Sequence, residues 1–533
     1  MPSTDETTAM SPITSAVRRE WAAFRSRGRV IAMIAATLAV IVPGLLAAYG
    51  DRASCGAGGA EIACPTDPVG PDGRAVSDQF FFVHRPLGEN GVITARVTSM
   101  TGVITYPPPD HDEIVPGLVP WAKAGIIVKD GTGQGSAYAA LMVTGGHGVR
   151  MQHDYVHDTA GRPGGVSPRS PRWLRLVRSG DTVTGYESAD GRRWTKVGTA
   201  RLAGSPRTVE AGLFVTSPGD LTVRRTGLGG GTTETRFTQA TAVFDNVSLD
   251  GATAGGWRHD GVGEMGHTDW ERNHRAPGLV EADGTFTVTG SGDIGPVGTE
   301  GGHDVADTLV GLAAGLAVVI AVAARFAVAA PRTTRSVTTG SRTARSTAVA
   351  VRTARGGVPP SGGRDLAARA VVAGAAAFSA GLVAAGVTMP VGAEILRANG
   401  NAVLTVSWLT LSRVVIGVAV LFAVTAVLAL ALGALLRRTW AAVLGAMSAV
   451  ILPYVLGASP LLPDEVARWL LRLTPAAGFA VQQTAVRYPQ VIAHYVPSEG
   501  YFPLAWWAGL GVLCGHAALA LALAASRWRR SAV

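Results

Sequence analysis

Apolar positions in this chain follow two different patterns. Six runs are long and nearly continuous, beginning near Val30, Asp307, Leu366, Val414, Trp440 and Leu504. Each is long enough to cross a bilayer as a helix, which takes about twenty predominantly apolar residues. Between the first two runs the pattern changes. Apolar residues there occur in short alternating stretches, at 80–83, 92–97, 124–128, 138–143, 173–177, 209–215 and 242–249. Gly, Pro and Asp-Gly turns separate these stretches, which predicts a sandwich of antiparallel sheets. Asp190-Gly191, between Tyr186-Glu187-Ser188 and Trp194, is a hairpin signal. A later run at 285–289 follows an irregular stretch at 251–284 and is expected to return to the same sheet. The predicted fold class is a polytopic α-helical membrane protein of six transmembrane helices with an inserted all-β, jelly-roll-like ectodomain.

The same pattern sets the domain boundaries. Residues 1–29 form a tail and an amphipathic helix, 30–49 the first span, and 50–304 the β domain. Residues 305–330 form the second span and 331–365 a basic loop, while 366–533 hold spans three to six with short outer helices at 463–490. In the tail, Ile13, Val17, Trp21 and Phe24 recur at helical spacing among Arg18, Arg19, Glu20 and Arg25, with Pro12 in the first turn behind Ser11. Such a helix suits a membrane surface. The first run is read as a retained anchor, because it is long for a signal peptide and lacks a compelling small-x-small site before Tyr49. Between spans five and six, 466–473 can form one helix, Pro475 breaks it, and 476–486 can form another. Neither is long enough to cross, so both are placed as segments dipping into the outer leaflet.

Charge then orients the chain. Arg18, Arg19, Arg25, Arg27 and Arg29 precede the first span, and a series from Arg332 to Arg369 separates the second from the third. Arg437 and Arg438 follow the fourth span, and Arg527, Arg529 and Arg530 follow the sixth. Four clusters in register obey the positive-inside rule, which puts both termini in the cytoplasm and 50–304 outside the plasma membrane. The net charge of +9 is therefore ascribed to insertion and anionic lipid and gives no sign of a nucleic-acid partner. A mean hydropathy of +0.26 fits a bundle carrying a large polar domain. Cys55 and Cys64 lie just past the first span, where an oxidising face would let them close a short loop worth about 2–3 kcal/mol. The alternative is two free thiols in a stalk. Cys514, inside the last span, reads as a small packing residue.

Candidate chemistry is sparse. No G-x-x-x-x-G-K-[ST] occurs, and Gly131-Thr132-Gly133-Gln134-Gly135 reads as a turn. His153, Asp154, His157 and Asp158 have the residue types of a metal site but lie among strands, so a solvated loop is expected there and no metal. Asp110, His111, Asp112 and Glu113 are read with the same caution. Glycoside hydrolysis needs two carboxylates about 5–10 Å apart, whereas Glu187 and Glu210 stand alone in sequence. Binding is expected of this domain rather than catalysis. Arg325 and Arg413 can snorkel to the nearer surface, which leaves His516 as the one candidate for an intramembrane polar role. Buried acids of the kind a proton-coupled carrier uses are not evident.

Two parts of the chain resemble known families. Arg18-Arg19-Glu20-Trp21 before six spans, with Leu470-Leu471-Arg472-Leu473-Thr474-Pro475-Ala476-Ala477-Gly478-Phe479 between the fifth and sixth, resembles a permease subunit of the type-2 ABC exporter family in its actinobacterial form. Gln482-Gln483 and Arg487-Tyr488-Pro489 add to the likeness, which covers 11–50 and 304–530. The resemblance implies a non-enzymatic chain with no cofactor of its own. ATP and magnesium would be bound by a separate ABC ATPase, and a second permease subunit would complete the unit. It also implies a coupling helix in which Arg18, Arg19 and Glu20 meet the ATPase while Trp21 and Phe24 anchor in lipid. Thr474, Pro475, Phe479, Gln482 and Gln483 would then shape the outer exit. The β domain is similar to concanavalin-A-like or laminin-G-like sandwiches at 121–128 and 187–194, which implies a glycan ligand. The run 284–293 resembles the strand that usually opens such domains, yet here it comes last. Family permeases have only a short first outer loop, so the insertion is a departure. The other functional class is a membrane-anchored carbohydrate-binding or sensing protein.

Overall fold

A computed structural model describes residues 12–57, 60–62, 66–106, 113–226, 230–252, 255–265, 271, 276–298, 302–328, 363–459 and 461–531. Cys64, the acidic patch at 110–112 and nearly all of the basic loop lie outside the described residues, as does the side chain of Cys55, so the disulfide expectation has no structural counterpart.

The alternating region forms an antiparallel sheet of fifteen strands. Its organising elements are two long strands, Phe80–Thr105 and Gly230–Ala252, which pair with each other over most of their length. Register breaks at Val243/Phe244, Asp245/Ser248 and Asp250/Ala252 mark bulges. Bulges bend strands and increase their twist, so one ladder can wrap into a nearly closed, sandwich-like body. Its interior holds Val83, Ile93, Ile126, Leu141, Leu213, Phe244 and Phe286. The 285–289 run lies within strand Thr285–Gly290, which pairs with Gly230–Ala252 in that sheet. The Asp190-Gly191 hairpin joins Thr182–Ser188 to Thr195–Arg201.

Two short strands, Val76–Asp78 and Ile294–Pro296, pair beside a second apolar cluster of Phe80, Phe82, Tyr138, Tyr155 and Phe214. Where a loop was expected at 153–158, strands Val149–His153 and His157–Ala160 form a hairpin. Asp154 and Tyr155 make its turn at φ 47° and 66°, a conformation usually given to Gly or Asn. The turn is held because Tyr155 is fully buried.

The helices are α1 (Pro12–Phe24), α2 (Arg27–Gly50), α3 (Leu312–Val328), α4 (Gly363–Ala398), α5 (Trp408–Leu436), α6 (Thr439–Ala458), α7 (Asp464–Leu473) and α8 (Trp506–Ser531). Among the described residues six helical stretches are long and apolar enough to cross a membrane: Arg27–Gly50, Val305–Val328, Arg364–Ala398, Trp408–Leu436, Thr439–Ala458 and Trp506–Arg527. Small residues bring them together. A Cβ on Gly311 would lie 2.4 Å from the Ala39 carbonyl oxygen, and one on Gly44 would lie 2.1 Å from that of Thr308, so α2 seats directly on the Val305–Val328 stretch. Leu316, Phe326, Phe422, Phe479 and Leu513 share the bundle core.

The sheet domain meets the bundle beside the connection between α4 and α5. His303 exchanges backbone hydrogen bonds with Ala402 and Leu404 at 2.8 and 3.0 Å. The Asn399 amide donates to the carbonyls of Ala48, Tyr49 and Asp51 at 3.0–3.1 Å, closing the otherwise open end of α2.

Candidate functional site

Two polar constellations sit at opposite ends of the helices. The first is built on α1. Helical spacing gives it one apolar edge, and Phe24 from that edge is buried edge-to-face on Phe326 at 5.2 Å. Glu20, one turn earlier, pairs with Arg369 of α4 at 3.1 Å. Arg369 is itself only 4% exposed, lies over the Phe326 ring, and donates to the carbonyls of Phe326 and Ala327, the last turn of α3. A guanidinium there satisfies helix-end acceptors that lack intrahelical donors. Arg19 stands 3.8 Å from Asp365, whereas Arg18 and Trp21 are exposed. The five residues therefore divide. Phe24 and Glu20 fasten α1 to the bundle, while Arg18 and Trp21 face outward. Phe24 packs against protein where lipid was expected, and Glu20 is taken up within the chain, because Arg369 is buried beneath it and requires a counter-charge.

The second constellation lies at the sheet-domain end. After α7, Thr474 bonds back to the Leu470 carbonyl at 2.8 Å, and Pro475 begins a 3-10 helix, Pro475–Gln482, whose residues are all buried. Small side chains allow this. A Cβ on Gly478 would meet Leu513 at 2.8 Å, and one on Gly509 of α8 would lie 2.1 Å from the Ala477 carbonyl oxygen. Phe479 stacks on Tyr454 with ring centroids 3.7 Å apart, and the Gln482 amide donates to the Phe479 carbonyl. The Gln483 side chain donates to the Ala485 carbonyl and accepts from the Phe502 N–H, while the backbone carbonyl of Gln483 accepts from Arg413. Arg413 thus turns inward, over Trp506, instead of reaching for the surface.

Beside this segment Asp304 caps the 3-10 turn Val305–Leu309. It accepts from the Ala306 N–H at 2.9 Å and from the Thr484 hydroxyl. Asp307 returns the bond to the Asp304 N–H at 2.9 Å, completing a capping box. Burial holds the Asp304 carboxyl above the ordinary carboxylate range, while the N–H and hydroxyl donors pull it back. Asp304, Thr410, Thr484 and Tyr501 line a cavity of about 100 Å³ under the sheet domain, with Arg74, which donates to the Tyr488 hydroxyl at 2.6 Å, in its wall. The cavity holds hydrogen-bonding groups and a single carboxylate, that of Asp304.

The fit around Gly509 yields an expected result. Gly509→Ala should lower stability by about 1–3 kcal/mol through overpacking. Gly511→Ala, with nothing within 4 Å of the added carbon, should be neutral or mildly stabilising through helix propensity. Thermal midpoints in detergent check both; equal midpoints would remove the close packing.

Other sequence candidates fall elsewhere. His516 bonds the Val512 carbonyl at 2.9 Å within its own helix. Cys514 is exposed on α8, where packing between helices was expected. Among the described residues no group of three or more His, Cys, Asp or Glu side chains could hold a metal. His153 and His157 stack at 4.3 Å, and Asp158 is engaged by Arg150 and Gln152. Glu210, isolated in sequence, meets His84 Nδ1 at 2.6 Å, with Asp260 on the other ring nitrogen at 2.8 Å. Sequence reasoning missed Arg369, Asp304 and Asn399. For Asp304 a signal existed, the Asp304-x-x-Asp307 spacing before an apolar run.

No family model matches this chain, and no curated protein matches it. Among solved structures, a functionally unknown protein from Saccharomyces cerevisiae is 16% identical, covering 38% of this chain and 93% of its own, at a TM-score of 0.21. Scytalido-glutamic peptidase with a transition-state analogue inhibitor is 8% identical, with 40% and 98% covered and a TM-score of 0.25. A GH43 protein from Bacillus licheniformis is 12% identical, with 32% and 27% covered and a TM-score of 0.17.

Proposed function

We propose that this chain is the membrane-spanning permease subunit of an ATP-driven exporter of the type-2 ABC kind. A separate ATPase energises it, and a second permease subunit completes the pathway. Both termini lie in the cytoplasm and residues 50–304 lie outside, as the four arginine clusters direct. The concanavalin-A-like β domain then stands over the outer end of the bundle and binds glycan or substrate.

The observation that carries this reading is the two-sided α1. A helix fastened to spans two and three by Phe24 and Glu20, yet presenting Trp21 and Arg18 outward, can pass a partner's movement into the bundle. The buried Pro475–Gln482 segment at the other end supports an exit path shaped by the fifth and sixth spans. A permease that hydrolyses no ATP must borrow an engine, and α1 offers a place to attach one.

The test is co-expression with a Walker-containing ABC ATPase subunit, sought first in the adjacent reading frames, followed by purification in detergent. Wild type should retain the ATPase, and Arg18→Ala with Trp21→Ala should reduce its recovery about tenfold, since Trp and Arg dominate such contacts. Unchanged recovery and transport would remove the coupling role. A chain that binds glycan but recruits no ATPase would instead be a membrane-anchored sensor.

A further inference from the structure

The inner face of strand Arg172–Ser179 carries two buried arginines, one at each end, and they are treated differently. Arg178 donates to the carbonyls of Leu87, Gly88, Gly180, Pro206 and Arg207 and to the Ser205 hydroxyl, so its guanidinium is saturated. Arg172 is 6% exposed, and among the described residues its side chain makes one hydrogen bond, to the Pro163 carbonyl at 3.1 Å. Its Nε is buried with no acceptor. A guanidinium has five N–H donors, and leaving them unmet out of water is costly.

Arg172 lines a basin of about 460 Å³ with Arg162, Arg193, Glu187, Ser188 and Asp190. That size falls within the range of small-molecule sites. Asp190 is committed, pairing with Arg193 at 3.3 Å, whereas Glu187 is engaged through one oxygen. Glu187 accepts from the Arg162 N–H at 2.7 Å. Asp190 accepts from the N–H groups of Arg192 and Arg193 and from the Ser188 hydroxyl, contacts that hold it well below the usual carboxylate range. The side chain of Arg162 makes no ion pair among the described residues.

We propose that this basin is a binding site for an anionic saccharide, a sugar ring bearing a carboxylate or a phosphate. The planar fork of Arg172, with Arg162 beside it, takes the oxyanion. The Glu187 oxygen that the Arg162 N–H does not use, with the Thr195 hydroxyl, takes the ring hydroxyls. A site of both signs suits a polyhydroxylated anion better than a bare ion. The site deepens the glycan-binding part of the proposed function and rests on that part alone.

Binding is measured by titration calorimetry on the full-length chain in detergent with no ATPase present, so loss of ATPase association leaves this readout untouched. The probes are D-glucuronate, D-glucose 6-phosphate and D-glucose. At least one anion should bind, more weakly as salt rises, with D-glucose about tenfold weaker or worse. Which anion binds identifies carboxylate or phosphate as the group held. Arg162→Ala, exposed and tolerable to the fold, should weaken binding by about tenfold. Arg172→Lys should weaken it further by removing the fork. Failure of both anions to bind, equal binding of D-glucose, or wild-type affinity in Arg162→Ala overturns the proposal.

Discussion

Asp78→Ala should cost the sheet domain about 3–5 kcal/mol, a large share of the roughly 5–15 kcal/mol that holds a typical domain together. Asp78 is wholly buried, and its Oδ2 accepts from Lys129 Nζ, the Tyr155 hydroxyl and the Gly135 N–H, each at 2.8 Å. Lys129 is buried as completely. Without Asp78 its ammonium keeps only the Ser136 carbonyl and the Tyr155 hydroxyl and becomes an uncompensated internal charge. Thermal unfolding followed by tryptophan fluorescence checks the size. Replacing both partners, Asp78→Leu with Lys129→Met, should recover much of the loss, because removing a buried pair together is far less costly than breaking it. A double variant no better than Asp78→Ala would sink the account.

The same pair sets a pH signature. Burial lowers the Lys129 pKa below its ordinary value of about 10.4, and the charge of Asp78 pulls it partly back. Because the folded lysine gives up its proton first, the folded state binds fewer protons than the unfolded chain just below that value. Stability therefore rises with pH there. Removing Asp78 deepens the depression and should steepen the rise. Tyr138 and Tyr155, raised by burial, act in the opposite sense above about pH 10, so the slope is best read between about pH 8 and 10.

This pair also shows where the sequence is legible and where it is not. Periodicity marks the apolar strands and the long helical runs, since both patterns are local and written in residue type. The strand through Lys123–Lys129 was legible from Ala124 to Val128, yet nothing local says that the lysines at its two ends are buried. Their partners, Asp78 and Asp293, are 51 and 170 residues distant. Burial of a charge is a tertiary fact, licensed by a partner that only the closed sheet supplies. The 153–157 hairpin was missed for a related reason. Its turn uses Asp154 and Tyr155 at positive φ, held by packing rather than by turn chemistry.

The bundle follows the same division. The amphipathic α1 could be placed from Val17, Trp21 and Phe24, and the break before the buried segment from Pro475. The division of α1 into a fastened edge and an exposed edge could not, because it depends on Arg369, a lone charge in an apolar run. In sequence that arginine reads as topogenic, one more cation after a basic loop. In the structure it is the buried hinge pin between α1, α3 and α4.

Arg369→Met should therefore release α1 from the bundle. The change leaves Glu20, only 14% exposed, without its counter-charge and frees the Phe326 and Ala327 carbonyls. Breaking one side of a buried pair costs about 3–5 kcal/mol, enough to move a docked helix by two to three orders of magnitude in population. Proteolysis near Arg25 should accelerate accordingly, because the freed helix opens the chain between α1 and α2. Glu20→Gln keeps a hydrogen-bonding group of the same shape and should loosen the helix less. Glu20→Leu with Arg369→Met removes both charges and should restore protection, since Phe24 still packs on Phe326. If α1 couples an ATPase to the spans, the single variant should keep ATPase bound through Trp21 and Arg18 yet lose ATP-driven transport. Transport surviving with α1 released would show that force reaches the bundle by another route. Protection unchanged in Arg369→Met would show that Phe24 alone holds the helix.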